Sequence, residues 1–198
     1  MIKLAGILLL CTGMLTAVPA ISSTGDNSIP EVIKVKESNL ILNGLGTRRK
    51  FWIDLYNAGL YLQQKCSDAA TIINADEPMA IKIEVISDVI TSKRLEEGMR
   101  SEFDRVTNGN TAPYRDRIEE LVKIFKEDVK VGDTYDLIYL PEEGLNIYKN
   151  NELKATIPGL DFKKVAFTSW VGHDPGDAKL SKALLGVGKT KKKKRGLF

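Results

Sequence analysis

The chain has 198 residues, 43% of them hydrophobic, which suits one domain around one ordinary core. A single histidine and two cysteines exclude a disulfide framework and any metal cluster with recognisable ligand spacing. The net charge of +3 is concentrated at one end: without Lys3 and the six cations of KTKKKKRGLF, 22 basic residues face 26 acidic ones, a net of −4. The body holds no basic patch interleaved with aromatics, so no nucleic-acid binding is expected.

The first twenty residues read as a secretory signal peptide. Lys3 supplies the basic start, Ile7 to Leu15 the apolar run, and Val18-Pro19-Ala20 the small residues near a cut. The run is short for a bilayer span, which takes ~20 residues; an uncleaved anchor is the alternative. Cys11 lies in this segment, leaving Cys66 as a lone thiol. Residues 21–34, small and polar up to Pro30, form a linker and the entry to the first strand. The domain is expected over 35–188. Residues 189–198 form a basic tail whose like charges repel, and which can touch an anionic membrane surface only weakly.

Within the domain, VIKVK and NLILN are short strand-like runs. KFWIDLYNAGLYL alternates on both parities and reads as one long central strand covered on both sides. Gly59 inside it implies a close backbone approach or a bend. SDAATIINAD reads as a short helix with Ser67 as its cap. MAIKIEVISDV alternates as a half-exposed strand, Ile81, Ile83 and Val85 opposing Lys82 and Glu84.

Two helices follow. TSKRLEEGMRSEFDRV carries the stripe Leu95, Met99, Phe103, Val106, with Thr91 or Ser92 as cap and Asn108-Gly109-Asn110 as stop. YRDRIEELVKIFKEDV carries Ile118, Leu121, Val122 and Phe125. Both stripes serve a core first; Met99 and Phe103 are also candidates to touch a ligand. VGDTYDLIYL, GLNIYKN and ELKATI read as antiparallel strands joined by turns. A helix on Phe162, Val165, Ala166 and Trp170, then a short one from Asp177 to Leu185, close the chain. The order gives an α+β fold with helices gathered on one side of a largely antiparallel sheet.

The chemistry visible in the residues is sparse. There is no nucleophile elbow, no phosphate-binding glycine loop and no metal spacing, so no cofactor is expected. GLG at 44–46 lacks a third glycine and a following helix. His173 sits alone at a helix end. Arg48 and Tyr56 stand out: an unbroken strand between them would put both on one face, with Trp52 and Ala58. An arginine facing an apolar surface requires a partner. That partner is either a ligand's polar head, held by the guanidinium fork and a phenol, or Asp54 or another acid at the surface.

In GLGTRRKFWIDLYNAGLYL, VISDVITSKRLEEGMRSEF, the proline-ended VGDTYDLIYLP and IPGLDFKKVAFTSWVGHDPGDAKLSKALLG, the chain resembles the chalcone isomerase-like family, specifically its secreted bacterial branch. The resemblance runs from Val35 to Gly186. It implies an open-faced β-sandwich: a long antiparallel sheet, a helical layer and a cleft between them. Arg48 matches the family's cleft arginine, which in true isomerases assists an intramolecular addition together with a threonine and a tyrosine. Here the threonine position is matched by Tyr56, and the tyrosine falls at or near Leu95.

Those departures are similar to the fatty-acid-binding members of the fold, where arginine and tyrosine hold a carboxylate. The resemblance therefore implies a secreted or periplasmic, non-catalytic monomer. Its partner would be a small amphipathic ligand such as a fatty acid, held by Arg48 and Tyr56 and lined by Leu95 and Met99. The alternative it leaves is an intramolecular lyase, an isomerase using Arg48 as acid.

Overall fold

The computed structural model describes residues 29–173 and 175–187; the expected signal peptide and basic tail lie outside them. Seven antiparallel strands form one sheet in simple sequence order. They are β1 (Val32–Val35), β2 (Ser38–Lys50), β3 (Ile53–Leu62), β4 (Met79–Val85), β5 (Thr134–Leu140), β6 (Gly144–Lys149) and β7 (Glu152–Ile157). Each strand pairs with the one before it, so every connection within the sheet is a hairpin or an excursion into helix.

Helices α1 (Ala69–Asn74), α2 (Ser92–Val106), α3 (Arg115–Ile124), α4 (Leu160–Val171) and α5 (Ala178–Leu184) supply the second layer. Thr91 caps α2 as expected, its hydroxyl accepting from the Arg94 amide. At α1 the cap is Asp68 rather than Ser67: the Asp68 carboxylate accepts from the Thr71 amide at 2.7 Å. A carboxylate does this better than a hydroxyl, because it also meets the positive end of the helix dipole.

The main core lies between the helices and one face of the sheet. Ala58, Leu60 and Leu62 of β3 share it with Ile81, Ile83 and Val85 of β4 and with Phe103, Leu121, Phe162 and Phe167 of the helices. Burying each large apolar side chain contributes about 1.5–3 kcal/mol. A smaller cluster on the opposite face gathers Ile33, Val35, Leu40, Tyr61, Ala80 and Ile138. Gly59 opens onto that face, where a Cβ would crowd Ile29 and Leu42 at 2.9 Å. It therefore marks a close approach, one of the two readings its position allowed.

Two further sequence expectations change. β4 is not half-exposed: Lys82 is 7% exposed and its ammonium donates to both oxygens of Asp136 on β5, at 2.9 and 3.0 Å. The two residues are register partners, so the ladder itself sets the pair. The other concerns KFWIDLYNAGLYL, which is not one strand. The chain turns at Phe51–Trp52, with Phe51 at φ 57, and β3 starts only at Ile53. Trp52 therefore shares no face with Arg48 and Tyr56; it is 84% exposed at a hairpin tip.

Candidate functional site

Two bulges in the β2–β3 ladder shape the site. The register runs Leu42↔Tyr61 and then Gly44↔Leu60, leaving Asn43 unpaired in β2. Further along it runs Arg48↔Tyr56 and then Arg49↔Asp54, leaving Leu55 unpaired in β3. A bulge shifts the alternation by one residue on its own strand. Gly44, Gly46 and Arg48 consequently face the helices, while Arg49 faces out to meet Asp54 through two hydrogen bonds of 2.5 and 2.9 Å. That pair, fully at the surface, holds the Asp54 carboxyl below its ordinary range, chiefly through the Arg49 hydrogen bond.

Arg48 and Tyr56 do share a face, but as directly opposed partners on adjacent strands rather than along one strand. Directly opposed side chains stand about 5 Å apart at Cβ. Both line a cavity of about 910 Å³ between the sheet and the helical layer. Its walls are largely apolar: Ile83 and Val85 from β4, Leu95 and Met99 from α2, Trp170 from α4. All four residues proposed from sequence, Arg48, Tyr56, Leu95 and Met99, thus border one space. Its volume falls in the range of small-molecule sites.

The polar end has members that sequence reading missed. The Arg48 Nη1 donates to the Gly176 carbonyl at 2.9 Å and lies 3.2 Å from the Asp177 Oδ2. Among the described residues nothing takes the Arg48 Nε or Nη2. Asp177 also caps α5, its Oδ1 accepting from the Lys179 and Leu180 amides at 2.9 Å each. Glu102 on α2 lines the same end and is bonded by Arg105 at 2.5 Å. Only the cap role of Asp177 has a local signal; its arginine lies more than a hundred residues earlier.

Tyr56 packs edge-on to Trp170, with ring centroids 6.2 Å apart. Burial is the main cause that pushes its phenol up to about 12, with the nearby Arg48 pulling the other way and Asp177 and Glu102 adding to the rise. The hydroxyl therefore keeps its proton across the physiological range and is available as a donor. Leu95, where the resemblance puts an isomerase's tyrosine, offers no polar group. Among the described residues, the arrangement leaves two guanidinium nitrogens unengaged and a neutral phenol beside a largely apolar chamber. That suits an oxygen-bearing head on an apolar body.

Glycines 44 and 46 belong to the same strand face. A Cβ on Gly44 would fall inside the backbone of Ala183 and Leu184, and one on Gly46 would lie 2.8 Å from the Ala183 and Leu180 side chains. The GLG step therefore serves to seat α5 on bare strand. Asn43 completes the seat: its Nδ2 donates to the Cys66 and Leu184 carbonyls at 2.8 Å, and its Oδ1 accepts from the Cys66 amide at 2.9 Å.

An open antiparallel sheet with helices on one face and a cleft between them is the fold that the resemblance to the chalcone isomerase-like family implies. The chain belongs to the chalcone isomerase-like family, whose sequence pattern matches residues 22–186. Among solved structures, it is similar to a fatty-acid binding protein of Arabidopsis thaliana, AtFAP1. The two are 16% identical, with a TM-score of 0.64 over 79% of this chain and 90% of that one. A search of curated proteins finds no match.

Proposed function

We propose that this protein is a non-catalytic binder of a small amphipathic ligand such as a fatty acid. The observation that carries the reading is Arg48 and Tyr56 opposed on adjacent strands beside a largely apolar cavity, with the Arg48 Nε and Nη2 taking no partner among the described residues. A carboxylate can take a bidentate pair from such a fork and a third bond from the phenol. Leu95, Met99 and Trp170 would line the ligand's apolar body. The likeness to a protein described as fatty-acid binding supports the same reading. The signal-like first twenty residues support action outside the cytoplasm, as a secreted or periplasmic protein.

Asp177 tempers the affinity, since its charge already balances part of Arg48. A bound carboxylate must share the guanidinium with it. The test is native mass spectrometry of the protein purified from cells, with and without Arg48→Ala, followed by titration with fatty acids. The expected result is a co-purified or titratable lipid whose affinity falls about 10- to 100-fold in the variant, the loss typical of a charge-assisted pair. The proposal fails if neither protein carries lipid and added fatty acids do not bind. It also fails if the protein turns over a chalcone saturably and Arg48→Ala abolishes that turnover.

A further inference from the structure

The most exposed large apolar side chains among the described residues are neighbours: Phe51 at 79% and Trp52 at 84%. They form the tip of the β2–β3 hairpin, with ring centroids 5.9 Å apart. Phe51 occupies left-handed backbone, φ 57, a conformation unfavourable for a bulky residue. Both rings are largely exposed among the described residues.

The tip is also the rim of the cavity. Lys50, Phe51 and Ile53 line it, as do Arg94 and Glu97 of α2. Glu97 is 3.9 Å from Lys93, and Arg94 donates to the Val89 carbonyl. Lys50 is exposed and has no ion-pair partner among the described residues. Paired aromatic rings beside a long cationic side chain fit the boundary of a lipid bilayer. There the rings leave water while the ammonium stays with the headgroups.

We infer that the β2–β3 hairpin tip docks on a lipid bilayer, turning the cavity rim toward the headgroups so that a ligand can pass between bilayer and cavity. The docking stands on the exposed tip alone; the passage of ligand rests on the function proposed above. Trp52 itself does not line the cavity, which separates the two.

The experiment is co-sedimentation of the protein as purified from cells, and of its Trp52→Ser variant, with phosphatidylcholine vesicles, with and without phosphatidylglycerol, and with no fatty acid present. Wild type is expected to partition onto both vesicles with a blue shift of its tryptophan emission. Trp52→Ser should partition about tenfold less, as for one large aromatic returned to water. Its binding of a water-soluble short fatty acid should be unchanged. Any contribution of the basic tail appears only on the anionic vesicles and disappears at high salt.

Equal partition of variant and wild type would overturn the docking. So would failure of the wild type to bind vesicles, or ultracentrifugation showing self-association that Trp52→Ser abolishes, which would assign the tip to a second copy. Vesicle binding without any fatty-acid binding would uphold the docking and sink the ligand reading alone.

Discussion

Strand β2 meets the helical layer in two opposite ways. At Gly44 and Gly46 it presents bare backbone, and α5 lies directly on it. Two residues further, at Arg48, it presents its longest side chain, and the layers part to enclose about 910 Å³. The strand is the same at both ends, with α5 seated on its glycines and α2 and α4 standing off beside Arg48; side-chain size along a few residues of one strand accompanies the change from closed to open. The closed end fixes α5, and α5 with its cap Asp177 then positions the wall against Arg48.

The comparison can be broken most severely at the closed end. Gly44→Val would drive a branched side chain into the α5 backbone, and the expected loss of several kcal/mol should appear as an unfolded or strongly destabilised protein in denaturant melts. Next comes Asn43→Ala, which leaves two carbonyls and an amide without their partner at a buried bulge. A loss of about 2–4 kcal/mol is expected, measured as a lowered denaturation midpoint with no new cavity ligand.

At the open end the effects should fall on binding rather than on stability. Met99→Trp would narrow the chamber of about 910 Å³ without filling it; fatty-acid affinity by calorimetry is expected to fall several-fold, roughly 1 kcal/mol, while the melting temperature holds. A melting temperature that collapses instead would show that the cavity is not space the fold can fill. A similarly small effect is expected from Tyr56→Phe, which removes one neutral donor: about a fivefold loss in affinity, near 1 kcal/mol. An unchanged affinity would leave Arg48 as the head group's only holder.

Most of the fold was legible because alternation and helical stripes are local signals. The stripe of Leu95, Met99, Phe103 and Val106 did become α2, and the cap at Thr91 held. The β2–β3 turn was not legible, because it is built from Phe51 and Trp52, residues typical of strands, with no glycine, asparagine or proline to mark it. Arg48 and Tyr56 were paired on one face for a reason that proved wrong: the bulge at Leu55 and the hairpin register bring them together across two strands.

Lys82 looked exposed because its partner, Asp136, sits in another strand, though an aspartate inside TYDLIYL was a signal that such a partner existed. Likewise, the glycines of GLG read locally as a fragment of a glycine-rich loop. Their alternate spacing on a strand was the clue to a helix seated there. Lys163 gave no signal at all: it is fully buried, and its ammonium donates to the carbonyls of Ile72, Ile73 and Ala75 at the end of α1, at 2.8–3.0 Å. Burial lowers it to about 8, so it is still charged at neutral pH, where its three protons match three acceptors.

The hydrogen bond from Asn43 to the Leu184 carbonyl spans 141 residues. In a sheet whose strands follow one another in sequence, nearly every other pairing can form as the chain lengthens, whereas this contact joins almost the first strand to the last helix and carries the largest loop-closure entropy. During synthesis the apolar trough therefore stays unwalled on its α5 side until the end of the chain arrives. A truncation just before Ala178 should yield a sticky, chaperone-dependent species rather than a smaller version of the same protein.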